Sequence, residues 1–324
     1  MSDLPVLISG AGPSGLALAL SLVHRGVPFR IIDENAGPGE HSRAMAVQAR
    51  TLEFYQQFGI GDEVVNEGIV IQRAHLRTGL AAERGEHEQT VYFNEIGTGL
   101  SPYPFVLSYP QDDHERFLVA KLHALGIEVE RNAKLTGLSE DGASMTATVA
   151  DGDGHVETIR AAYVCGCDGA HSAVRQLLGV GFSGGTYDQM FFVADVKTAE
   201  SIQPDLYGNL GSDVLVLMLP VRSSGMERLI GLVPPQLCGK ADLSFEDVRS
   251  YAEPLLGVTV AEVNWFSAYH VHHRVADRFR AGRAFLLGDA GHVHSPVGGQ
   301  GMNTGIGDAM NLGWKLASVV RERA

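Results

Sequence analysis

The stretch that decides the fold is "VLISGAGPSGLALALSLVHRG", residues 6–26. It opens with a short apolar run that ends in glycines, which is typical of a buried parallel strand. The following residues are apolar nearly all round and stop at Gly26, so they predict a helix. "PFRIID", residues 28–33, predicts a second strand. Together the three segments predict a βαβ unit of about thirty residues.

The turn between strand and helix carries the glycines of a dinucleotide-binding motif. Gly10 permits the tight turn, Gly12 lets a pyrophosphate approach the backbone, and Gly15 lets helix and strand pack closely. The helix N-terminus offers free N–H groups and the positive end of a dipole to phosphates. Asp33 ends the second strand, where a carboxylate accepts hydrogen bonds from an adenosine ribose. This turn alone fits NAD or FAD.

Composition excludes several classes of protein. The chain has 324 residues, a net charge of -13 and three cysteines. The negative charge argues against a nucleic-acid partner, and the odd cysteine count fits a reducing cytosol rather than a disulfide framework. Glycines, a proline and serines interrupt the apolar N-terminal stretch, so we expect a cytoplasmic protein with no membrane partner. Composition leaves monomer and homodimer open.

Two later segments repeat the pattern of a strand followed by a polar turn. "CGCDGAHSAVRQLLG", residues 165–179, places Asp168, Gly169, His171 and Arg175 at a strand-to-helix turn. In "AFLLGDAGHVHSPVGGQGMNTG", residues 284–305, a predicted buried strand is followed by Asp289 and then by glycine-rich turns. A helix comes next, and its apolar face is predicted to contain Ile306, Met310, Trp314 and Ala317.

The sequence pattern between these segments predicts a second domain. Strand patterns such as "QMFFVADV", "DVLVLMLP" and "RLIGLVPP" predict an antiparallel sheet, and "SFEDVRSYAEPLLG" predicts one helix. The predicted fold is α/β: a Rossmann-like, GxGxxG-containing nucleotide-binding domain with an inserted, mainly antiparallel β-sheet domain for substrate. We assign residues 1–70, 106–180 and 274–324 to the first domain. Residues 71–105 and 181–273 form the second.

Three motifs follow one another along the chain, in the order GAGPSG, CDGAHSAVR and GDAGHVHSPVGGQGMN. In these motifs the chain resembles the class A flavin-dependent aromatic hydroxylases, the fold family of para-hydroxybenzoate hydroxylase. Phenol, pentachlorophenol and hydroxyphenylpropionate monooxygenases are closer in motif. The resemblance implies FAD as cofactor and NADH or NADPH as co-substrate. It also implies hydroxylation of a phenolic or other small aromatic substrate by O2, through a flavin C4a-hydroperoxide.

The resemblance also implies roles for individual residues. Gly10, Gly12, Pro13, Ser14 and Gly15 would lie at the FAD pyrophosphate, Asp33 and Glu34 at the adenosine ribose, and Arg43 near the flavin and the nicotinamide path. Gln111 and Arg116 would contact FAD or brace its site, and Asp168, Gly169 and Arg175 would form a dual FAD and NAD(P)H motif. Gly288 and Asp289 would bind the ribitol chain. The residues that would face the isoalloxazine ring are Pro296, Gly298, Gly299, Gln300, Gly301, Met302 and Asn303. A helix beginning near Asn303 would stabilise negative charge on the reduced flavin.

The histidines suggest a metal site as an alternative. Asp289, His292 and His294 are close in sequence, and His270, His272 and His273 form a second group. The short spacings and the lack of a companion cysteine pair argue against zinc. A two-histidine, one-carboxylate iron site could be assembled, but the flavin motif already accounts for Asp289. We therefore expect no metal, and a strand for "VHHR" paired beside "FLLG".

The catalytic groups of the substrate region stay open. No motif identifies a general base. Six aromatic residues fit either a substrate pocket or core packing: Tyr92, Phe93, Tyr103, Phe105, Phe191 and Phe192. Alternative functions are another flavoenzyme of the same fold, such as an epoxidase or dehydrogenase, and a flavin-binding module without turnover. Members of the family continue past "AMNLGWKLASVV", and we expect that C-terminal extension to be absent here.

Overall fold

The computed structural model describes residues 4–39, 44–79, 88–211 and 214–321. The chain divides into two compact units. Unit 1 comprises Met1–Ala44, Gln111–Gly185 and His272–Ala324, and unit 2 comprises Met45–Pro110 and Thr186–Val271. The largest difference from the predicted boundaries is that residues 45–70 and 106–110 group with unit 2. Short strands in these stretches form a separate small sheet, and Ser108 Oγ donates a hydrogen bond to the carbonyl of Pro220 at 2.6 Å.

The strands in chain order are β1 (Val6–Ser9), β2 (Phe29–Ile32), β3 (Ala46–Val47), β4 (Ile69–Ile71), β5 (Arg73–Arg77), β6 (Glu88–Tyr92), β7 (Val106–Ser108), β8 (Lys134–Glu140), β9 (Met145–Ala150), β10 (Val156–Ala161), β11 (Tyr163–Gly166), β12 (Phe182–Thr198), β13 (Leu206–Leu210), β14 (Leu215–Val221), β15 (Met226–Leu232), β16 (Val260–Ala276), β17 (Arg280–Ala281), β18 (Ala284–Leu286) and β19 (His292–Val293). The α-helices are α1 (Pro13–Val23), α2 (Ala49–Gln56), α3 (Gly61–Glu67), α4 (Phe93–Gly97), α5 (Gln111–Ala124), α6 (Ala173–Leu177), α7 (Phe245–Leu256) and α8 (Gly301–Val320).

Unit 1 contains a five-stranded sheet in the order β17-β18-β11-β1-β2. Strands β18, β11, β1 and β2 are parallel, with Ile8 of β1 opposite both Cys165 and Ile31. Every residue of β1 is buried, as a central strand covered on both faces requires. The sequence-predicted βαβ unit is present as β1, α1 and β2.

Helix α8 packs on α1 in unit 1. A Cβ added at Gly313 would lie 2.8 Å from Cβ of Ser21, so the Ser21 side chain packs directly against the Gly313 backbone. Ile306, Met310 and Ala317 face inward, but Trp314 is 51% exposed, so its predicted place on the buried face is wrong. At 3.6 residues per turn, Trp314 lies about 80° around the helix from Ile306. No helix of the described residues has both the length and the apolarity to cross a membrane.

A hairpin turns around Asp151 in unit 1. Strands β9 and β10 pair antiparallel with Ala150 opposite Val156, and β8 completes a three-stranded sheet. Leu135 and Met145 of this sheet pack in one core with Val164 and Leu286 of the parallel sheet.

Unit 2 is built on a mainly antiparallel sheet. Strands β12, β15, β14 and β13 are antiparallel neighbours, β5 joins β13 in parallel, and β6 pairs antiparallel with β5. Helix α7 covers one face of the sheet, where Phe245 and Val248 are buried with Phe192 and Met218. Helix α7 begins with a capping box between Ser244 and Asp247, which fixes its start.

A buried ion pair also joins two strands of unit 2. Arg228 on β15 donates from Nε and Nη2 to the two carboxylate oxygens of Asp195 on β12, at 2.6 and 2.7 Å. The two residues are 3% and 7% exposed.

Candidate flavin site

Residues of all three motifs lie along one edge of the unit 1 sheet. Gly10 follows β1, Asp33 follows β2, Asp168 comes shortly after β11, and Gly288 comes shortly after β18. Because these strands are parallel neighbours, their carboxyl ends share an edge, where α/β sheets bind ligands.

The three glycines of the first turn have different surroundings. Gly10 has φ +103°, and a Cβ there would lie 2.8 Å from Cα of Asp168. A Cβ at Gly15 would collide with the carbonyl oxygen of Gly10. At Gly12 the nearest atom to an added Cβ is Oε1 of Glu115, at 4.0 Å. Gly10 and Gly15 thus serve packing, whereas Gly12 borders open space.

Helix α1 presents its first turn at this open space. Gly12 is its N-cap and Pro13 its first residue, and no described side chain caps it. The N–H groups of an uncapped first turn, at the positive end of the helix dipole, favour an anion. Ser14 serves packing, since a Cβ added at Gly288 would lie 2.5 Å from its Oγ.

Asp33 is anchored by its carboxylate. Its Oδ2 accepts from the Ala11 N–H at 2.6 Å, and its Oδ1 accepts from the Asn35 N–H at 2.9 Å. Nη1 of Arg131 lies 3.7 Å from Oδ1. No sequence signal marked Arg131, whose Nη2 is buried without a hydrogen-bond partner among the described residues. Glu34 points elsewhere and pairs with Lys134 at 2.9 Å on the exposed surface.

Gln111 is held by a residue that sequence reasoning missed. Nε2 of Gln111 donates to Oε1 of Glu115 at 2.8 Å, one helical turn later. Glu115 is 5% exposed, and Gly39 N–H donates to its Oε2 at 3.2 Å. Burial raises the pKa of Glu115. Its spacing of four residues from Gln111 was the available signal.

Arg116 does not meet the other candidates. It pairs with Asp112 at 2.8 Å and Asp113 at 2.6 Å on its own helix, and its side chain is 52% exposed. Asp113 is not an N-cap, because α5 begins at Gln111, two residues earlier. Arg43 lies outside the described residues.

Arg175 of the second motif links this motif to the third. Its Nη1 donates to the carbonyl of Ala290 at 2.9 Å, and its Nη2 donates to the carbonyl of Ala170 at 2.7 Å. The guanidinium lies 3.8 Å from the ring centre of Phe182.

Asp168 anchors the start of α6 beside this link, because its Oδ2 accepts from the Val174 N–H at 3.1 Å. Burial raises the pKa of Asp168. Gly169 follows with φ +75° and makes the turn toward α6.

Asp308 fixes the start of the third motif. One of its oxygens, Oδ2, lies 3.0 Å from the donating N of Gly288 and 2.7 Å from Nε2 of His292. The hydrogen bond to Asp308 raises the pKa of His292. Asp289 is solvent-accessible, yet the protein atoms crowded around its carboxyl raise its pKa, and His292 and His294 oppose that rise. Sequence reasoning missed Asp308, which lies sixteen residues after His292.

The remainder of the third motif forms a tight turn before α8. Gly299 N–H donates to the Pro296 carbonyl at 3.0 Å, and Gly298 has φ +86°. Gln300 is the N-cap, and Gly301 and Met302 open the helix two residues before the predicted start. Asn303 Nδ2 donates to the Gly299 carbonyl at 2.8 Å and so ties helix to turn.

The histidine groups do not form the metal sites considered from the sequence. Among the described residues, the group of three or more whose ligand atoms all lie within 4.8 Å of one another is Asp151, Asp153 and His155, on an exposed hairpin turn. His270, His272 and His273 lie in β16. The predicted pairing of this strand with "FLLG" is wrong, since its neighbours are β19 and β12.

The six candidate aromatic residues separate into different settings. Phe192 is fully buried against Phe266, and Tyr103 donates its hydroxyl to Gln56 at 2.7 Å. Both belong to the core of unit 2. Phe191 stacks with Tyr269 at 6.3 Å between ring centres, on the sheet face away from α7.

The family model described as "FAD binding domain" matches residues 3–324. The chain belongs to this FAD binding domain family. It is 37% identical over 98% of its length to 6-methylpretetramide 4-monooxygenase of Streptomyces rimosus, covering 56% of that protein. It is 33% identical over 97% of its length to a flavin-dependent monooxygenase of Mycobacteroides abscessus, covering 67% of that protein. The chain thus spans between about half and two thirds of these relatives.

Solved structures agree with this membership. The crystal structure of p-nitrophenol 4-monooxygenase from Pseudomonas putida superposes with a TM-score of 0.86 at 27% identity. The match covers 99% of this chain and 81% of that one. This family member therefore shares its fold with flavin-dependent aromatic monooxygenases.

Proposed function

We propose that this chain is an FAD-dependent monooxygenase that hydroxylates a phenolic or related aromatic ring, using NADH or NADPH and O2. The observation that carries the proposal is the meeting of three motif turns at one edge of the parallel sheet, beside an open Gly12. Unit 1 is then a Rossmann-like FAD-binding domain, and unit 2 is the substrate-binding domain. The relatives named for 6-methylpretetramide and p-nitrophenol support an aromatic substrate.

The residues present fit FAD. The open backbone at Gly12 and the uncapped start of α1 suit a pyrophosphate, whereas a Cβ at Gly12 would fill this space. Asp33 and Gln111 would hold the adenosine side, and Asp289 would accept hydrogen bonds from the ribitol hydroxyls. The turn from Pro296 and the first turn of α8, with Gly301, Met302 and Asn303, would hold the isoalloxazine ring.

Bound FAD supplies hydride acceptance from NAD(P)H and the activation of O2 for transfer of one oxygen atom to the ring. The chain supplies position and electrostatics. The first turn of α8 has no acidic residue, so its N–H groups would stabilise negative charge beside it. Arg175 would hold the second and third motif turns at a fixed spacing. The apolar face around Phe191, Leu215 and Val271 in unit 2 would take an aromatic ring and exclude water.

Cofactor content and oxygen insertion together test the proposal. The purified protein, reconstituted with FAD, should show flavin absorbance at one equivalent per chain. With a panel of phenols it should oxidise NADH or NADPH and place one labelled atom from ¹⁸O₂ in the product. A colourless protein after reconstitution would remove the cofactor assignment. Bound flavin that is reduced by neither nucleotide would instead favour a binding module.

The free thiols support a cytoplasmic location, which we propose for this chain. Cys165, Cys167 and Cys238 are all unbridged, as in a reducing compartment.

A further inference from the structure

Glu115 occupies an unusual position for a carboxylate in an anion-binding site. It lies on the first turns of α5, and its Oε1 is the nearest atom to the open face of Gly12. Its side chain is buried. The pyrophosphate of FAD, which is itself anionic, would therefore approach Gly12 against a buried acidic group.

Within the described part of the chain, the groups around Glu115 offer little positive charge to offset that approach. The Gln111 amide and the Gly39 N–H donate to its two oxygens. Among the described groups that act on Glu115 from other elements, Asp33 raises its pKa and Arg131 lowers it. Arg131 is shared with Asp33, from which its Nη1 is 3.7 Å, and with the Gly37 carbonyl, at 3.3 Å.

A like charge brought near a buried carboxylate favours its neutral form. The neutral acid also gains an O–H donor, whereas the carboxylate only accepts. We propose that Glu115 takes up one proton from solvent when FAD binds, and that the cofactor is held beside a neutral carboxylic acid at this position. This inference rests on the proposed FAD site and concerns how that site handles charge.

The proposal makes FAD affinity depend on pH in one direction. Below the pKa of Glu115 in the apoprotein, binding is tight and takes up no proton at this group. Above that pKa, and below the higher pKa in the complex, the Kd rises tenfold per pH unit and up to one proton is taken up. Above both values the Kd levels off at a weaker affinity.

Titration calorimetry of the apoprotein with FAD measures this uptake, using two buffers of different ionisation enthalpy at each of several pH values. The wild type should take up close to one proton over part of the range. Glu115→Gln mimics the neutral acid, so it should keep the low-pH affinity at every pH and lose that proton. Glu128→Gln is the matched control, because Glu128 is exposed and its ion pair among the described residues is with exposed His123.

The outcomes separate the two proposals. A wild type that binds no FAD at any pH defeats the FAD assignment itself. A wild type that binds FAD with the same proton uptake as Glu115→Gln overturns the role of Glu115, as does a folded Glu115→Gln protein that no longer binds FAD. Infrared difference spectra of the wild type give a check without a variant. With ¹³C-labelled glutamate, a protonated carboxyl band should appear on FAD binding, and its absence contradicts the proposal.

Discussion

Arg175 and Ala290 are 115 residues apart in sequence, and a hydrogen bond of 2.9 Å from Nη1 to the carbonyl joins them. The same guanidinium binds the Ala170 carbonyl and lies over Phe182. A side chain predicted to bind cofactor thus uses two of its nitrogens on backbone. We interpret it as a brace that holds the second and third motifs together.

Arg175→Lys tests the brace. Lysine keeps the charge but cannot make both hydrogen bonds and stack on Phe182, so we expect a loss of about 2 kcal/mol in the free energy of unfolding. Urea denaturation measures it, and the Kd for FAD should rise in parallel. Arg116→Lys is the control, because the described ion pairs of Arg116 lie within its own helix. Equal stability of the two variants would contradict the brace.

We expect Gly12→Ala to weaken FAD binding and Gly15→Ala to destabilise the fold. Gly12 has φ -77° and open space, so alanine leaves the fold intact but obstructs the pyrophosphate. We expect the Kd for FAD to rise at least about tenfold, equivalent to about 1.4 kcal/mol. Gly15→Ala places a Cβ on the Gly10 carbonyl and should lower the melting temperature of the apoprotein. Fluorescence titration and thermal melts separate the two effects, and unchanged FAD affinity in Gly12→Ala would exclude a pyrophosphate there.

The His292–Asp308 pair should make stability depend on pH. Asp308 raises the pKa of His292 in the folded chain above its ordinary value of 6.5. The pair therefore stabilises the fold fully below pH 6.5, and this contribution disappears as pH rises through the folded-state pKa. Asp308→Asn should cost about 1 kcal/mol more at pH 6 than at pH 9, after allowance for solvent screening.

Denaturation at the two pH values measures this difference, and NMR titration of the His292 ring follows its pKa directly. His123→Gln removes an exposed imidazole and is the control. A His292 pKa that is the same in the wild type and in Asp308→Asn would refute the coupling.

For the Asp195–Arg228 pair of unit 2, we expect the loss in the free energy of unfolding to depend on whether one partner or both are replaced. Arg228→Met leaves a buried carboxylate without its cation, and we expect a loss of about 3–5 kcal/mol. The double variant Asp195→Leu with Arg228→Met replaces both charges by apolar groups and should recover most of that loss. A double-mutant cycle in urea measures the coupling. Lys240→Met removes half of an exposed pair and should change stability by about 0–1 kcal/mol. Additive losses at Asp195 and Arg228 would contradict the prediction.

The sequence was informative where signals are local. Apolar runs ending in glycine located β1, β11 and β18. The tight turn at Gly10 and the close packing at Gly15 were also predicted, and the structure has both. The start of α5 shows the limit of such signals. Asp113 is a good N-cap type, whereas the helix begins directly after Pro110 and Asp113 pairs with Arg116.

The site residues that the sequence did not predict depend on contacts between distant parts of the chain. Glu115 meets Gly39 across 76 residues, and no local pattern encodes that meeting. Arg131 meets Asp33 in the same way, from a position that carries no motif. The boundary at residue 45 was missed because β3 has two residues and β4 and β7 have three each, too few for a period to show.

The order of strands in the parallel sheet also limits when the sheet edge with the three motif turns can form during synthesis. Strands β1, β2 and β11 have been made once Gly166 has left the ribosome, but their neighbour β18 follows only at Ala284–Leu286, and α8, the packing partner of α1, later still. A nascent chain therefore carries the turn proposed for the phosphates long before it carries the turn proposed for the flavin ring. Contacts this distant in sequence slow folding, so we expect capture of the proposed cofactor to be a late event that requires α8.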